Sequence, residues 1–447
     1  MSIHIPRDFE LGVAASSWQI EGSVDTRASS IWDDFVTLPG VIRDGATGEP
    51  ACDHVNRLDA DLDLLAWLGV DAYRFSISWP RVQPGGEGRL DQRGLDFYSR
   101  LIDGLLERGI KPVATLYHWD LPSELEDDGG WPERDTAQLF ADYAWSMGDH
   151  FGDRVDRWAT INEPWVAAFL GYSAGVHAPG RREPGESLAA AYHLMLAHGL
   201  AMMALRTTPA RNLGIALNVI PALAESPEFE PAARHIDGLQ NRLFLDLLAG
   251  RGIPSDLVRG CRSTTWDFVQ AADLPIIAAP LDWVGENYYT VMRVGAPGGS
   301  TESVGSDTAA FPDCPDIGFH PRGEVTDMGW EVYPQGLSSA VGTIAEALPG
   351  VPIWVTENGA AYPDELVDGQ VDDEARRAYV ESHLAELMRT RDTGIDVRGY
   401  YCWSLLDNLE WAEGWTKRFG IVRVEPGTLE RIPKATAHWY RDLIAGR

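Results

Sequence analysis

Eight short runs of β-branched and aromatic residues recur along the chain, and longer segments with helical periodicity separate them. Between the second and third runs, Leu95, Tyr98, Ile102 and Leu105 recur at the spacing of one helix face. This alternation indicates parallel βαβ units. Eight such units fit a closed barrel better than an open doubly wound sheet, so we predict an α/β fold, a single (β/α)8 TIM barrel with long loops after its strands. The predicted strands cover residues 11–15, 72–77, 112–117, 157–161, 213–219, 283–288, 353–356 and 398–403.

The length of 447 residues suits one α/β barrel with insertions. No compositional linker divides the chain, so we expect residues 1–447 to form a single domain. A further helix is predicted over residues 372–391. The longest irregular stretch, residues 295–327, is rich in Gly, Pro, Ser and Asp. A loop of this length in a compact domain is usually functional or mobile.

The net charge limits the kinds of partner that the protein can bind, and the cysteine content indicates its cellular compartment. The net charge of −30 at pH 7 disfavours nucleic acid and anionic membranes but does not penalise a neutral ligand. The four cysteines form no CxxC pair and are predicted to be free thiols in a reducing compartment. Residues 1–8 lack the apolar core of a signal peptide, so we expect a cytoplasmic location.

One apolar segment, residues 188–205, carries no formal charge and reaches the lower length limit of a membrane span. It is rich in alanine, includes His193 and His198, and is followed by Arg206. These features favour a buried barrel helix, and no membrane partner is expected.

Polar and aromatic residues follow every predicted strand. The carboxyl ends of barrel strands converge on one face, where the active sites of such barrels lie. A set that mixes carboxylate, amide and aromatic groups suits a carbohydrate, because sugars offer hydroxyls for polar contacts and C–H faces for stacking. The residues at these ends are Gln19, Arg74, His118, Trp119, Asn162, Glu163, Asn218, Asn287, Tyr289, Glu357, Asn358 and Trp403.

Two of these residues are glutamates that each lie beside an asparagine, Glu163 after the fourth strand and Glu357 after the seventh. Glycoside hydrolysis needs such a pair, since one carboxylic acid protonates the departing oxygen while the other carboxylate attacks or stabilises the anomeric carbon. A lone glutamate is usually a solvated residue or part of an ion pair. Two of them at strand ends, near Trp and Asn, favour a glycosidase but leave retaining and inverting chemistry open.

Long segments match a known family pattern in the same order along the chain. They are 19–22 (QIEG), 30–33 (SIWD), 52–54 (CDH), 73–81 (YRFSISWPR), 116–122 (LYHWDLP), 160–165 (TINEPW), 171–180 (GYSAGVHAPG), 287–289 (NYY), 328–330 (MGW), 355–359 (VTENG) and 403–411 (WSLLDNLEW). With these segments the chain resembles glycoside hydrolase family 1, the β-glucosidase family, over nearly its whole length.

The resemblance implies a retaining mechanism and a role for each matching residue. Glu357 matches the family's nucleophile and Glu163 its acid/base. Arg74, Tyr289 and Asn287 match residues that support the nucleophile. The residues implied to bind the sugar are Gln19, His118, Trp119, Asn162, Trp403, Glu410, Trp411 and Phe419, and those implied for the aglycone site are Trp165 and Trp330.

These roles predict the protonation of both glutamates. An arginine beside Glu357 is expected to lower its pKa, whereas burial and the anionic partner are expected to raise the pKa of Glu163. One residue departs from the family pattern: Glu286 occupies a position that is usually apolar. Strand alternation separates its side chain from Asn287 and Tyr289, so we expect Glu286 to face the helix layer and to be paired there.

Other classes of protein fit the sequence less well. A serine esterase would use the G-x-S-x-G match at Ser173, but that motif needs a preceding strand, and residues 165–170 look helical. A metal-dependent hydrolase lacks support because the 11 histidines form no HExxH motif. A non-catalytic sugar-binding protein would have lost one of the two glutamates. A 6-phospho-β-glucosidase is disfavoured because Glu410 would repel a sugar phosphate.

The sequence therefore predicts a retaining exo-β-glucosidase (EC 3.2.1.21) that releases terminal non-reducing β-D-glucosyl residues, with a place in cellulose and polysaccharide degradation. Small neutral β-glycosides or oligosaccharides are the expected partners, and no cofactor or metal is expected. Broad β-galactosidase or β-fucosidase activity is the alternative, because Glu410 can bond hydroxyls at both the fourth and the sixth carbon. The 6-phospho-β-glucosidase and the serine esterase are the remaining alternatives.

Overall fold

The computed structural model describes residues 3–298, 308–314 and 316–447. Eight strands close a barrel in which every neighbouring pair is parallel and the strands follow one another in chain order. This barrel confirms the predicted fold class, and each predicted strand overlaps an observed one. The strands are β1 (Glu10–Ala14), β2 (Ala72–Ser76), β3 (Lys111–Tyr117), β4 (Arg157–Asn162), β5 (Leu213–Leu217), β6 (Trp283–Asn287), β7 (Ile353–Asn358) and β8 (Val397–Trp403).

Helices follow the strands and form the layer around the barrel, which explains why most strand residues are buried and read as continuous apolar runs. In the helix after β2, the predicted stripe of Leu95, Tyr98, Ile102 and Leu105 is buried. The helix predicted over residues 372–391 is also confirmed. The major helices are His54–Leu68, Gln92–Glu107, Asp135–Phe151, Pro184–Leu205, Glu230–Asp237, Leu243–Leu248, Pro334–Ala347, Glu374–Asp392 and Ala435–Ala445.

Shorter elements lie in the loops. Two π-helical segments, Val166–Ala174 and Gly238–Arg242, follow β4 and β5. Short helices and turns span Ser17–Ile20, Val24–Thr26, Ile31–Phe35, Trp79–Val82, Pro84–Gly86, Ser123–Asp127, Pro227–Phe229, Ser255–Gly260, Leu274–Ile277, Thr308–Ala310 and Trp411–Glu413. The short strands are Ala222–Ala224, Met292–Gly295, Gly318–Phe319, Leu366–Val367, Gln370–Val371, Val422–Val424 and Arg431–Pro433.

The stretch predicted to be irregular, residues 295–327, is described only in part, since residues 299–307 and 315 lie outside the described residues. Its described part contributes Gly318–Phe319 to a three-stranded sheet with Met292–Gly295 and Ala222–Ala224. This small sheet stands at the carboxyl-terminal face of the barrel and connects the loops that follow β5 and β6.

The helix Pro184–Leu205 is the one element of the described chain that is long and apolar enough to cross a membrane. In its most apolar window 78% of the residues are buried, because the helix packs against its neighbour Asp135–Phe151. Within it, His198 forms a hydrogen bond of 2.7 Å with the Thr160 hydroxyl of β4. The helix therefore occupies the predicted place in the helical layer of the barrel.

A buried carboxylate, Glu10, joins strands at the amino-terminal end of the barrel. It accepts hydrogen bonds from Arg157 at 2.8 Å, from Lys111 at 2.8 Å and from the Tyr401 hydroxyl at 2.5 Å. The Arg157 guanidinium also packs 4.0 Å from the centre of the Trp354 ring. Burial acts to raise the pKa of Glu10, but these cations and hydrogen bonds lower it to about 2. Glu10 is therefore ionised at neutral pH.

Candidate active site

The carboxyl ends of the strands open into a pocket, which is where the sequence predicts the site. Most of the predicted residues meet there. Those that line the pocket are His118, Trp119, Glu163, Trp165, Tyr289, Trp330, Glu357, Trp403, Glu410, Trp411 and Phe419. Of the other predicted residues, Asn218 also lines the pocket, whereas Gln19, Arg74, Asn162, Asn287 and Asn358 are buried and do not line it.

Glu357 lies near the end of β7, where the register of the strand shifts against both of its neighbours. Such irregularities commonly re-aim side chains next to active sites. Its Oε1 accepts a hydrogen bond from Arg74 at 2.5 Å, and its Oε2 accepts one from the Tyr289 hydroxyl at 2.7 Å. Both oxygens thus have a fixed donor, and one of the donors carries a positive charge.

Glu163 follows β4 in the left-handed backbone region, with φ of 46°, a conformation that costs energy for a non-glycine residue and is found at functional sites. Its Oε1 accepts a hydrogen bond from the Asn287 amide at 2.6 Å. That amide also donates to Asn162 Oδ1 at 2.9 Å, and Arg74 donates to the same oxygen at 2.6 Å. These contacts connect the strand ends that carry Glu163 and Glu357.

The pKa values of the two glutamates rise by different amounts. Burial and then the charge of Glu357 raise the pKa of Glu163 well above its usual range. Burial also raises the pKa of Glu357, but Arg74, Tyr289 and Asn287 counter much of that rise. The expected fall in the pKa of Glu357 is therefore wrong, because burial outweighs the arginine. The pKa of Glu163 is still the higher of the two, so Glu163 is the glutamate that keeps its proton.

The hydrogen bonds around His118 define its tautomer. Arg74 and Asn287 occupy the Oδ1 atom of Asn162, so Asn162 uses Nδ2 to donate to His118 Nε2 at 3.1 Å. Burial and then the positive charge of Arg74 lower the pKa of His118 well below its usual range. A neutral ring whose Nε2 accepts carries its proton on Nδ1. That atom is buried and has no partner among the described residues.

Aromatic rings form a continuous wall beside His118. The Trp119 and Trp411 ring centres lie 4.5 Å apart, and His118 stacks on Trp403 and on Trp411 at 5.9 Å each. Trp119 and Trp411 both have positive φ, 76° and 48°. Phe419 packs edge-on against Tyr289 at 6.0 Å. The wall offers apolar faces of the kind that stack on the C–H face of a sugar.

Glu410 presents a carboxyl to the same part of the pocket. Its Oε2 is buried without a partner among the described residues. Burial, and then the charge of Glu357, raise its pKa to about 8, so it is mainly protonated at neutral pH. Gln19 lies behind it and donates to the Leu409 carbonyl at 2.8 Å and to Asn408 at 3.0 Å. The role of Gln19 in direct sugar binding stays a prediction.

The part of the pocket near Trp165 and Trp330 is mainly apolar. The centre of the Trp165 ring lies 5.3 Å from that of Phe311, and the centre of the Trp330 ring lies 5.4 Å from that of Tyr289. Lining residues that the sequence did not single out include Val166, Leu170, His177, Ile220, Met292, Arg293, Phe319, Met328 and Glu331. Of these, His177 and Met328 fall within segments that carry the family resemblance, and the others lie outside those segments.

Glu286 is fully buried on β6 and does not line the pocket. Its Oε2 accepts a hydrogen bond from the Val219 backbone N–H at 3.1 Å, and its Oε1 has no partner among the described residues. The expected pairing is thus present only as one bond to an amide. Burial raises the pKa of Glu286 well above its usual range, and a neutral acid needs no cation.

Local structure argues against the serine esterase. Ser173 lies inside the π-helical segment Val166–Ala174 rather than at a turn between a strand and a helix. Its hydroxyl donates to the Ala309 carbonyl at 2.6 Å, so it is not poised as a nucleophile. For the metal-dependent alternative, no group of three or more His, Cys, Asp and Glu side chains in the described part of the chain is arranged to hold a metal ion.

A parallel barrel that brings two buried glutamates, a neutral histidine and a tryptophan wall to the carboxyl ends of its strands defines the class of (β/α)8-barrel glycoside hydrolases. Residues 1–447 match the model of Glycosyl hydrolase family 1 over their full extent. The chain belongs to this family, which confirms the resemblance seen in the sequence.

Similar proteins agree with this membership. A β-glucosidase from Agrobacterium sp. is 42% identical over 100% of this chain and 96% of its own length. A bifunctional β-D-glucosidase/β-D-fucosidase from Bifidobacterium breve is 40% identical over 100% of this chain and 99% of its own. The crystal structure of a psychrophilic β-glucosidase from Micrococcus antarcticus superimposes with a TM-score of 0.95 at 42% identity, covering 99% of this chain and 98% of that one.

Proposed function

We propose that this protein is a retaining exo-β-glucosidase in which Glu357 is the nucleophile and Glu163 the acid/base. The observation that carries the proposal is the unequal environment of the two carboxyls. Arg74 and Tyr289 stabilise negative charge on both oxygens of Glu357, whereas Glu163 has one amide donor and holds its proton to higher pH.

In the proposed first step, Glu357 attacks the anomeric carbon while Glu163 gives its proton to the departing glycosidic oxygen. A covalent glycosyl ester forms on Glu357, and the leaving alcohol is released. Because the ester is neutral, the negative field that raised the pKa of Glu163 disappears. Glu163 then takes a proton from water as the water attacks the ester, and both carboxyls return to their starting state. Proton transfer of this kind contributes typically about 10² to 10⁴ in rate.

The sugar-binding residues suit a neutral sugar. We assign sugar contacts to the neutral His118, to Glu410 and to the tryptophan wall, with Gln19 and Asn162 behind them. The pocket lining in the described chain has one cationic side chain, Arg293, which is already paired with Glu331: its Nε and one terminal nitrogen each donate to that carboxylate at 2.7 Å. A sugar 6-phosphate would find no free cation there, which disfavours a phospho-glycosidase. The sequence suggested that Glu410 would repel a sugar phosphate. That repulsion is the weaker of the two arguments, because Glu410 is mainly protonated.

A second activity, on β-galactosides or β-fucosides, is favoured by Glu410. A protonated carboxyl with an unpartnered oxygen can both donate to and accept from a hydroxyl in either epimeric position. The bifunctional relative from Bifidobacterium breve supports this breadth. We expect glucosides and fucosides to be cleaved at comparable rates.

We further propose one catalytic domain over residues 1–447 that acts on small neutral β-glycosides in the cytoplasm. Four free cysteines, of which Cys52, Cys261 and Cys402 are buried, suit a reducing compartment. The charge of −30 disfavours polyanionic partners.

The test is a panel of p-nitrophenyl β-glycosides with glucose, galactose, fucose and glucose 6-phosphate, combined with NMR of the first product formed. We expect the glucoside and the fucoside to react fastest and the β-anomer of glucose to appear before mutarotation. Appearance of the α-anomer would exclude a retaining mechanism, and fastest cleavage of the 6-phosphate would exclude a preference for neutral sugars.

A further inference from the structure

Residues 218–220, here called the wall segment, line the pocket without being part of a strand. Asn218 and Ile220 face the pocket, and the ladder of β5 ends one residue earlier, at Leu217 opposite Glu286. The segment packs beside Pro164 and Trp165, with which it lines a small void. Because Pro164 and Trp165 directly follow the proposed proton donor, the wall segment borders the space into which a leaving group departs.

Buried side chains replace the missing strand partner of the wall segment. Gln240 donates to the Asn218 carbonyl at 2.9 Å and to its side-chain oxygen at 2.7 Å. Asn241 accepts from the Ile220 N–H at 2.9 Å and donates to the Ile220 carbonyl at 2.8 Å, as a neighbouring strand would. Gln240 and Asn241 are only 2% and 3% exposed, so water does not compete for these backbone groups.

Glu286 provides a further hydrogen bond to the wall segment. Its Oε2 accepts from the N–H of Val219, the central residue of the wall segment. Burial raises the pKa of Glu286 well above its usual range, so it acts as a neutral acceptor rather than as a charge. The next residue, Asn287, holds Glu163. One strand end therefore positions both the wall segment and the proposed acid/base.

The surroundings of the wall segment indicate the chemistry of the leaving group. Its pocket side is continued by Val166, Leu170, Met292 and Phe319. Of the polar groups nearby, the side-chain oxygen of Asn218 accepts from Gln240, and Arg293 is paired with Glu331. A second sugar would have to bury hydroxyls against these apolar side chains, which is costly, whereas an apolar group pays no such cost.

We propose that Glu286, Gln240 and Asn241 are positioning residues that hold the wall segment rigid, and that this wall selects glucosides of apolar aryl or alkyl alcohols over glucosides of sugars. The inference rests on the proposed β-glucosidase function. It assigns no catalytic role to Glu286, whose carboxyl touches neither the sugar nor the reacting atoms.

The first test compares wild type with Glu286→Leu and Glu286→Gln. Leu removes the acceptor for Val219, whereas Gln keeps a neutral acceptor of the same shape. We expect Glu286→Leu to lower kcat/KM for octyl and p-nitrophenyl β-glucoside by about tenfold, the factor that corresponds to roughly 1.4 kcal/mol of lost binding. Glu286→Gln is expected to restore most of that loss. Failure of Gln to do so would contradict the positioning role.

A second readout separates positioning from general destabilisation. The glucosyl-enzyme no longer contains the leaving group, so kcat for 2,4-dinitrophenyl β-glucoside, where breakdown of that intermediate limits turnover, should not change in Glu286→Leu. A matched control is Gln83→Leu, which removes a buried side chain that anchors a loop through Gly88 at 3.3 Å and does not line the pocket. We expect this control to lower Tm without changing the ratio of substrates.

The outcomes can be told apart. If Glu286→Leu does not fold, Asn241→Ala tests the same wall with the same substrates. An equal loss on all substrates and on both steps would overturn the positioning role, and a higher kcat/KM for cellobiose than for octyl glucoside in wild type would overturn the apolar preference. If wild type cleaves none of these glucosides, it is the proposed function that fails.

Discussion

A glutamate is buried at each end of the barrel, but its pKa is shifted in opposite directions at the two ends. Glu10 at the amino-terminal end and Glu163 at the carboxyl-terminal end are similarly buried, at 7% and 5% exposed. The pKa of Glu10 is lowered to about 2, whereas that of Glu163 is raised well above its usual range. Burial acts in the same direction at both ends, so the difference comes from the partners.

At the amino-terminal end two cations, Arg157 and Lys111, serve one carboxylate. In the pocket a single guanidinium, Arg74, serves Glu357 while Glu163 and Glu410 remain nearby. A shortage of positive charge leaves protons on the pocket carboxyls, and those protons can be used in catalysis. The comparison assigns stability to one end of the barrel and chemistry to the other, as is general for this fold.

The largest expected effect on activity follows from removing the proposed nucleophile, Glu357. Glu357→Gln keeps the shape of the side chain but cannot form a glycosyl ester, so hydrolysis of p-nitrophenyl β-glucoside should fall by at least about 10⁴-fold, the scale seen when a catalytic nucleophile is removed. Steady-state kinetics of the purified variant measures this. The matched control is Glu10→Gln, which should retain wild-type activity at neutral pH. Activity lost equally in both variants would break the division between the two ends.

The next effect distinguishes substrates by their leaving groups. In Glu163→Gln, glucosides with poor leaving groups should lose about 10² to 10⁴ in rate, because those groups need a proton as they depart. The first step with 2,4-dinitrophenyl β-glucoside should be nearly unchanged, since its leaving group is stable without a proton. Pre-steady-state bursts measure that step. Equal losses for both substrates would contradict an acid role for Glu163.

At the other end, the expected effect is on stability. A fall in the pKa of Glu10 from 4.5 to about 2 corresponds to a contribution of roughly 3 kcal/mol to the free energy of unfolding at neutral pH. Glu10→Gln should therefore lower the free energy of unfolding by about that amount, as measured by urea denaturation at pH 7. Because the folded pKa is the lower one, wild type should lose this contribution as the pH falls from about 4.5 to about 2. Variant and wild type of equal stability at pH 7 would show that the cations do not stabilise Glu10.

The smallest effect concerns pH. Because its folded pKa is raised, Glu163 keeps its proton to higher pH than an ordinary glutamate, and kcat/KM for alkyl glucosides should fall on the high-pH side of the profile as the acid is lost. Glu163→Gln should remove this alkaline limb from the residual activity. Its Tm at neutral pH should not fall, since the change removes a carboxyl that burial disfavours in its charged form. An unchanged alkaline limb in the variant would assign that limb to another group.

Sequence was sufficient for the barrel and for most of the candidate site. Parallel strands that are buried on both faces appear in the sequence as apolar runs. Residues that follow such strands lie on one face of the barrel, so the sequence alone predicted that Glu163 and Glu357 share a site. The contacts of Glu10 were not readable, because Arg157 is 147 residues away and nothing local marks the pair. The support of the wall segment by Gln240 and Asn241 was also missed, because no sequence pattern links these side chains to the backbone 22 and 21 residues earlier.

The pKa of Glu357 shows a second limit. Sequence placed Arg74 beside it and so predicted a fall, but the sign depends on whether burial or the arginine is stronger, and burial is a property of the folded chain. Likewise, a glutamate in place of an apolar residue at Glu286 was visible in the sequence, whereas its single partner, the Val219 amide, was not.

The most direct test of the account is to trap the covalent intermediate. In a 2-deoxy-2-fluoro-β-glucoside, the fluorine slows both chemical steps, and a good leaving group restores the rate of the first step only. The enzyme therefore accumulates as the fluoroglucosyl ester. Digestion and mass spectrometry of the labelled enzyme should place the sugar on Glu357. Label on Glu163, Glu410 or any other residue, or no label despite turnover of the parent glucoside, would contradict the assignment of Glu357 as the nucleophile.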